Sequence, residues 1–541
     1  MQVRAKKIAP AHKQPGGQPT PKPAARQFLF PAPTNGWTLN ENLTTPSPQG
    51  ARVLDNWICG PTSIRARGGF NKTATVASGA AVTSLFAYRS GSTGKMFAAT
   101  ASAVYDVTAP ADPDVIPSAA FSGQTAGYYS TAQYGTAGGN YLYAVNGADK
   151  PRLFDGATWT AIDGASTPAI TGVTTTTLSH VWSFASRIWF VQKDTMTAWY
   201  LPADSIGGAA QSVSLAGIFR KGGALLFGAA WSLDAGDGLD DKCVFVSTEG
   251  EVAVYEGSDP STASTWRKVG VYEISAPLGQ NATMQAGGDL LIATDVGLVP
   301  ISEAIKRDIA ALSVGAVTRR IEPYWQDRAR TQSSLPWEIA KWPTEGIMIV
   351  TQPQSTANIG TMLVANLQTG AWSRFTGMDA RCVTHFDGYV YFGSSSGGVY
   401  RMQETGADDG MPYTCVYLGQ HEGLGMPVMQ KTVGQMRPVF ITNSPIAPQL
   451  TALVNYSEEL SSAPSAAASS ATDGWDISVW DTSLWDATAA GTGADKSQWV
   501  AIGRTGHAIA PELQLTFGAT LLPVVELVGI DVTFSVGALV A

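Results

Sequence analysis

Several short stretches of this chain carry side chains at a spacing that invites chemistry. Gly393-Ser394-Ser395-Ser396-Gly397 satisfies the G-x-S-x-G pattern of a serine nucleophile. That pattern works when a strand precedes the serine and a helix follows, so that the hydroxyl sits strained above a helix N-terminus. Here 399–402 follows and reads as a strand, so the segment is a hairpin turn. Ser92-Thr93-Gly94-Lys95 resembles the end of a phosphate-binding loop. Arg89, however, stands where the opening glycine belongs, and Met96 where a Mg2+-holding hydroxyl belongs. It reads as a turn with an exposed lysine. Asp234, Asp237, Asp240 and Asp241 crowd a Gly-rich run, and carboxylates so placed offer oxygen ligands to Ca2+. Their spacing is not that of an EF-hand loop, and a solvated loop is the commoner fate of such a run.

The five histidines, His12, His180, His385, His421 and His507, are scattered without a partner at metal-ligand spacing, which argues against zinc. Asp155-Gly156-Ala157-Thr158-Trp159 is one residue short of the aspartate-box turn of sialidase-like propellers, itself a structural device. A carboxylate pair for glycoside hydrolysis meets only in three dimensions, so the sequence leaves that chemistry open. No residue is assigned a catalytic role, and no cofactor is implied.

The elements around these residues read as β structure. Of 541 residues, 44% are hydrophobic but only 14% charged, with 57 glycines and 31 prolines. Helical proteins usually clothe exposed faces in Lys, Glu and Arg, whereas short strands joined by tight turns need fewer charges. Seven units recur between about 80 and 403, each an apolar strand, a Gly-containing turn and a second strand. The clearest are 141–159 with Asn146-Gly147, 244–266 with Glu249-Gly250, and 389–402 preceded by Asp387-Gly388. Weaker copies lie at 85–107, 181–201, 290–301 and 347–372. X-Gly turns between β-rich runs signal hairpins, and hairpin units at this period mark propeller blades. The sequence therefore predicts a mainly β fold whose core, 36–410, is a β-propeller of about six or seven blades. A stretch at about 302–330 breaks the pattern with a helical insertion, in which Ser302 is the expected cap and Gly315 and Pro323 are interruptions. From 411 to 541 the strands lengthen into a second, sandwich-like module. Within it Trp475, Trp480 and Trp485 recur five apart, each followed by Asp, a period that suits a repeating structural turn.

Residues 1–35 form an extended, Pro-rich basic arm. Seven prolines fix its backbone away from helix. Arg4, Lys6, Lys7, Lys13, Lys22 and Arg26 meet no acid before residue 30, and Phe28 and Phe30 offer an apolar anchor. The whole chain is −8, so the remainder is more acidic still. An acidic body is a poor surface for gripping phosphates, but it suits a surface that DNA passes without sticking. The four cysteines, Cys59, Cys243, Cys382 and Cys415, lie far apart and fit folding in a reducing cytoplasm. The N-terminus has no secretory apolar core, and Glu526 and Asp531 interrupt the C-terminal apolar stretch, so no membrane span is expected.

Three stretches carry a likeness to a known family. They are 52–75, containing LDNWICGPTSIRARGGFNKTAT and followed by GKMFAATASAVYDVT; 198–260, containing AWYLPADSIGGAAQ and FRKGGALLFGAAW; and 474–486, GWDISVWDTSLWD. From about residue 40 onward the chain resembles the tail-nozzle proteins of short-tailed bacteriophages, some known as packaged-DNA stabilisation or head-completion proteins. The resemblance implies a structural role in the virion tail, after folding in the host cytoplasm. Six copies would form a tube beneath a dodecameric head-tail adaptor, continuing the DNA channel and retaining the genome until ejection. Tail fibres or spikes and a needle or plug would attach nearby, and genomic DNA would pass the lumen without sequence-specific binding. On this reading the arm residues Arg4, Lys6, Lys7, Lys13, Lys22, Arg26, Phe28 and Phe30 would dock on a neighbouring subunit or the adaptor. The competing readings are a receptor-binding or glycan-degrading tail protein and a secreted partner-binding propeller.

Overall fold

The structure, a computed structural model, describes residues 25–44, 46–232, 241–262, 264–353, 360–442, 446–466, 493–496 (backbone only), 498–519 and 521–537. Six small antiparallel sheets and the first four strands of a larger one are arranged as propeller blades. Blade 1 spans 84–122, blade 2 130–161, blade 3 178–214, blade 4 225–273, blade 5 283–300 and blade 6 338–376. Blade 7 takes Cys382–Phe386, Tyr389–Gly393 and Gly398–Met402 from late in the chain and its outer strand, Phe70–Thr75, from the start. That exchange closes the ring. Each of the seven hairpin units expected from the sequence falls in a different blade.

The blades stack through their apolar faces. One buried cluster joins blades 1 and 2 (Phe97, Leu142, Phe154), another blades 2 and 3 (Tyr143, Val181, Phe190), a third blades 3 and 4 (Trp182, Trp189, Phe245). Strands alternate side-chain direction, so every blade offers one face to each neighbour, and the closed ring leaves no blade face bare.

Blade 5 has only three strands. The helical insertion follows them as short helices Ile301–Lys306, Leu312–Gly315 and Glu322–Thr331. Ile301, Ala304 and Leu312 pack on the blade 4–5 cluster. The cap expected at Ser302 is supplied differently: Asp289, in the turn before the second strand of blade 5, accepts from the Ser302 backbone N–H at 3.2 Å and its hydroxyl at 2.5 Å. Pro323 does not interrupt a helix. It stands in the first turn of Glu322–Thr331, where the missing N–H would have had no helical partner.

The C-terminal module is not made of C-terminal residues alone. Blade 6 continues outward: Trp372–Thr376 pairs with Gly36–Trp37 and Gly50–Asp55, and the sheet runs on through Tyr413–Gly419, Ile509–Phe517 and Gln449–Val454 to nine strands. A second sheet is built on Lys431–Thr442 and Val525–Val536, joined by Trp57–Cys59, Ile64–Ala66, Val500–Gly506, the backbone of Gly493–Lys496 and Arg26–Pro31. The two sheets bury their facing sides in one large cluster, here called the lobe core, which also takes in the blade 5–6 interface and the helix carrying Trp325. Strands within residues 26–66, read from the sequence as arm and propeller, pair into these two sheets. Gly36 shows how tight the seam is. Its φ is +75°, and a Cβ there would lie 2.5 Å from the Trp372 carbonyl oxygen.

Candidate functional site

The densest concentration of buried charge lies where lobe and propeller meet. Strand Gly50–Asp55 belongs to one lobe sheet and Trp57–Cys59 to the other; Asn56, at φ +64°, makes the turn between them. Asparagine tolerates this left-handed region better than branched residues. Its side chain then accepts from Thr376 N–H at 2.9 Å and donates to the Thr414 carbonyl at 2.7 Å.

Arg67 follows the Trp57–Ala66 hairpin and is 0% exposed. Nε donates to Asn56 Oδ1 (2.8 Å), Nη1 to the Gly68 carbonyl (2.9 Å) and Asp408 Oδ1 (2.7 Å), and Nη2 to the Thr376 carbonyl (3.2 Å) and Asp408 Oδ2 (2.7 Å). All five guanidinium protons are used. The Tyr413 ring lies 4.0 Å below the guanidinium carbon, and the Tyr413 hydroxyl donates to the Arg67 carbonyl. Burial works against the charge, but the bidentate carboxylate outweighs it and holds Arg67 above its ordinary pKa. Beside this group Arg374 forms a second fork, to Asp55 at 2.7 and 2.7 Å, under the Trp37 and Tyr324 rings. Together the two arginines tie blade 6, the loop after blade 7 and both lobe sheets. A guanidinium with no free proton cannot take a ligand; this arrangement locks segments together.

A second polar seam runs around the propeller axis, where the first strands of neighbouring blades approach each other. His180 Nδ1 lies 2.8 Å from Ser130 Oγ, and Nε2 3.0 Å from the Gly228 carbonyl. The carbonyl can only accept, so Nε2 carries the proton and Ser130 donates to Nδ1. Burial holds this imidazole at about 4, hence neutral. A serine beside a histidine looks like a nucleophile and its base. Here the third partner is a carbonyl rather than a carboxylate, and both side chains are buried. The pair links blades 2, 3 and 4. Further round, Glu338 of blade 6 accepts from Val383 N–H of blade 7 (3.0 Å) and from Asn281 (3.3 Å), whose amide also donates to the Tyr129 carbonyl (3.1 Å). Burial without a cation lifts this carboxyl to about 7.

An open groove of about 430 Å3 lies between the Trp57–Ala66 hairpin and blade 6. Arg65 pairs with Glu345 there, and Ser63 donates to Glu526 at 2.9 Å. Both carboxylates are engaged by side chains of the protein itself.

Most of the candidate residues from the sequence resolve into turns. Gly393–Gly397 is the hairpin turn expected, with Ser395 N–H donating to Asp379 at 2.9 Å. Lys95, expected in a turn, instead lies in the strand Thr93–Ala99 of blade 1 and pairs with Asp106 at 2.8 Å. Asp155 Oδ1 accepts from Ala157 and Thr158 N–H at 2.8 and 2.7 Å, closing the last hairpin of blade 2; these bonds hold its carboxyl below the usual range. Asp234, Asp237 and Asp240 lie outside the described residues. Asp241 alone is described, with Oδ1 buried and without a hydrogen-bond partner. Among the described residues no three His, Cys, Asp or Glu side chains converge as a metal site. Trp475, Trp480 and Trp485 also lie outside the described residues, as do Arg4, Lys6, Lys7, Lys13 and Lys22.

The apolar end of the arm is placed, and its position corrects the expectation for Phe28 and Phe30. They do not wait for a partner: Phe30 is 1% exposed in the lobe core and Phe28 packs against it, with ring centroids 4.9 Å apart. Arg26–Pro31 is a strand on Val525–Val536. The residues that sequence reasoning missed are Asp55, Asn56, Arg67, Arg374, Asp408 and Glu338. Nothing in their local pattern marks them, and the partner of Arg67 lies 341 residues away.

Among the described residues no helix is long and apolar enough to cross a membrane. No protein-family model and no curated protein matches the chain. Solved structures to which it is similar include the β-propeller domain of Myceliophteria thermophila Cps50 (Swd1), at 13% identity over 62% of this chain and 99% of that one, TM-score 0.37. U3-55K matches at 10% identity over 62% and 98%, TM-score 0.37, and YCF48 bound to D1 peptide at 11% over 62% and 95%, TM-score 0.35.

Proposed function

We propose that this chain is a structural subunit of a short-tailed phage tail: a nozzle subunit that assembles, six copies to a ring, into the tube below the portal and adaptor. The observation that supports this best is the fusion of propeller and lobe. Blade 6 runs without a break into a nine-stranded sheet, and the seam is locked by Arg67–Asp408 and Arg374–Asp55. A flexible linker would let two lobes move independently, whereas a shared sheet holds them as one rigid wall element. The stretch 52–75, one of those that carry the family resemblance, contains Asp55, Asn56 and Arg67. The charged groups at these positions close turns, blades or the seam.

The acidic body suits a lumen past which phosphates slide. A lumen lined by Lys and Arg would overturn that part of the reading. The basic residues before 25 remain the docking arm, while Phe28 and Phe30 hold its root to the subunit. The appropriate deletion is therefore 1–24, which spares Arg26–Pro31. It should weaken assembly with the adaptor while leaving the fold intact; unchanged assembly would remove the docking role.

The test of the whole reading is native mass spectrometry of the purified chain, alone and with its adaptor ring. A sixfold species, formed alone or on the adaptor, supports a nozzle. A persistent monomer or a trimer points to a receptor-binding or polysaccharide-degrading tail protein.

A further inference from the structure

The arm leaves the lobe beside a carboxyl that has no partner. Arg26–Pro31 lies on Val525–Val536, and Phe28 and Phe30 of that strand pack into the lobe core. Side chains alternate along a strand, so Arg26 shares their face and stands at the mouth between the two sheets. Residues 420–430 cross from one sheet to the other here. Arg26 Nη1 lies 3.2 Å from Met426 Sδ, and Met426 N–H donates to the Gly423 carbonyl at 2.8 Å. Glu422 therefore stands just before the turn that Arg26 touches. Its backbone exchanges both hydrogen bonds with Ile509, at 2.8 and 3.0 Å, and Ile509 is fully buried in the lobe core. Residues paired in this way share a face, so the Glu422 carboxyl is at the mouth too.

Glu422 Oε1 is buried and has no hydrogen-bond partner, and burial alone lifts this carboxyl above its ordinary pKa. The cations that flank it in the fold are turned elsewhere: Arg26 to Met426, whose sulfur is a weak acceptor, and Lys431 to the His507 carbonyl. On the same crossing segment Val428 is 71% exposed. Two stretches of chain continue from this mouth. Residues 538–541 follow Gly537, whose N–H donates to the Gln430 carbonyl at 2.8 Å; they are Ala, Leu, Val and Ala and hold no cation. Residues 1–24 precede the Arg26 strand and hold Arg4, Lys6, Lys7, Lys13 and Lys22 without an acid. Lys22 sits in the run Pro19-Thr20-Pro21-Lys22-Pro23. Such alternation favours a polyproline II path, on which the four residues from 22 to 26 span about 12 Å. Lys22 is thus within reach of a carboxyl one turn from Met426.

We propose that residues 19–24 seat on their own chain at this mouth, with the Lys22 ammonium on the Glu422 carboxylate and the prolines against Val428. The pair supplies the cation that Glu422 lacks, and a four-residue tether presents it at high effective concentration. A proline-rich segment loses little freedom when it docks on an apolar surface. The seat narrows the part of the arm that reaches a partner to 1–18, with Arg4, Lys6, Lys7 and Lys13. It lies within one subunit and stands or falls apart from the ring reading above.

The test is zero-length carbodiimide cross-linking of the full chain, read by peptide mass spectrometry, on isotopically light and heavy protein mixed before assembly. Lys22 should join Glu422 about tenfold more often than it joins Glu459, an exposed carboxylate that a loose tether meets only by chance. The linked peptides should be wholly light or wholly heavy. Moving the lysine, in Lys22→Gln/Gln18→Lys, should bring the yield at Glu422 down to that at Glu459. Equal yields at the two carboxylates in the parent chain, or no link at Glu422, would overturn the seat. Mixed light and heavy peptides would show that a neighbour's arm occupies the mouth, and would overturn it as a contact within one chain. None of these results bears on whether six copies form a ring, which native mass decides.

Discussion

The propeller and the lobe solve the same problem, burying β surface, with opposite economies of sequence distance. In blades 1 to 4 every strand pairs with a strand nearby in the chain, and each interface between blades is a separate apolar cluster. The lobe gathers 26–66, 372–376, 413–454 and 493–536 into two sheets around one core. Local hairpins can form on apolar contacts alone. A seam drawn from both ends of a long chain needs its register specified, and there the buried fork of Arg67 and the half-buried fork of Arg374 occur. Buried polar groups of this kind are candidates for specifying one arrangement rather than for adding stability.

The sharpest way to break that contrast is at Arg67. Arg67→Ala leaves Asp408 buried without its cation and Asn56 short of a donor, and should cost about 3–5 kcal/mol in urea unfolding. The loss should be non-additive with Asp408→Ala, because the second substitution removes the uncompensated charge. Additive effects would deny the coupling. The matching test inside the propeller is Trp189→Ala. Trp189 is 0% exposed and stacks on Trp182 and Trp266 at 5.7 and 5.6 Å. Truncation should cost about 3 kcal/mol, but amide exchange should quicken mainly in blades 3 and 4. Equal quickening in the lobe would show that the blades are not local units.

Glu338 sharpens the comparison through pH. Its carboxyl holds a proton up to about 7 in the folded chain, against an ordinary 4.5. The folded state thus binds the proton more tightly, and stability falls as pH rises from about 4.5 to 7. Glu338→Gln should flatten that slope and be more stable than the parent at pH 8, on the order of 1–3 kcal/mol. An unchanged slope would place the titration elsewhere. The smallest effect belongs to the turns: Asp155→Ala should cost about 1 kcal/mol, the worth of a capping carboxylate, read from thermal melts. A loss several times larger would mean that this turn does more than close blade 2.

The same division explains what could be read in advance. Asn146-Gly147, Glu249-Gly250 and Asp387-Gly388 announce hairpins because turn chemistry is local, and so the seven units, one per blade, were legible. The helical insertion was legible from its spacing, but its cap was not, because Asp289 arrives from a neighbouring hairpin. Residues 26–66 looked like arm and propeller because nothing in their own pattern says that their pairing partners lie near 530 and 415. The Phe28–Phe30 pair was recognised as an anchor, yet its groove belongs to its own chain. Arg67 and Asp408 could not be paired from sequence at all, since ion pairs carry no spacing rule across hundreds of residues.

The most direct test of the account is electron microscopy of the purified full chain, alone and on its adaptor ring. The account predicts end views of closed sixfold rings with an open axial channel, each subunit a propeller and lobe held in one fixed relation. Isolated particles with and without the adaptor, threefold spikes, or rings in which the propellers vary in position relative to their lobes would contradict it.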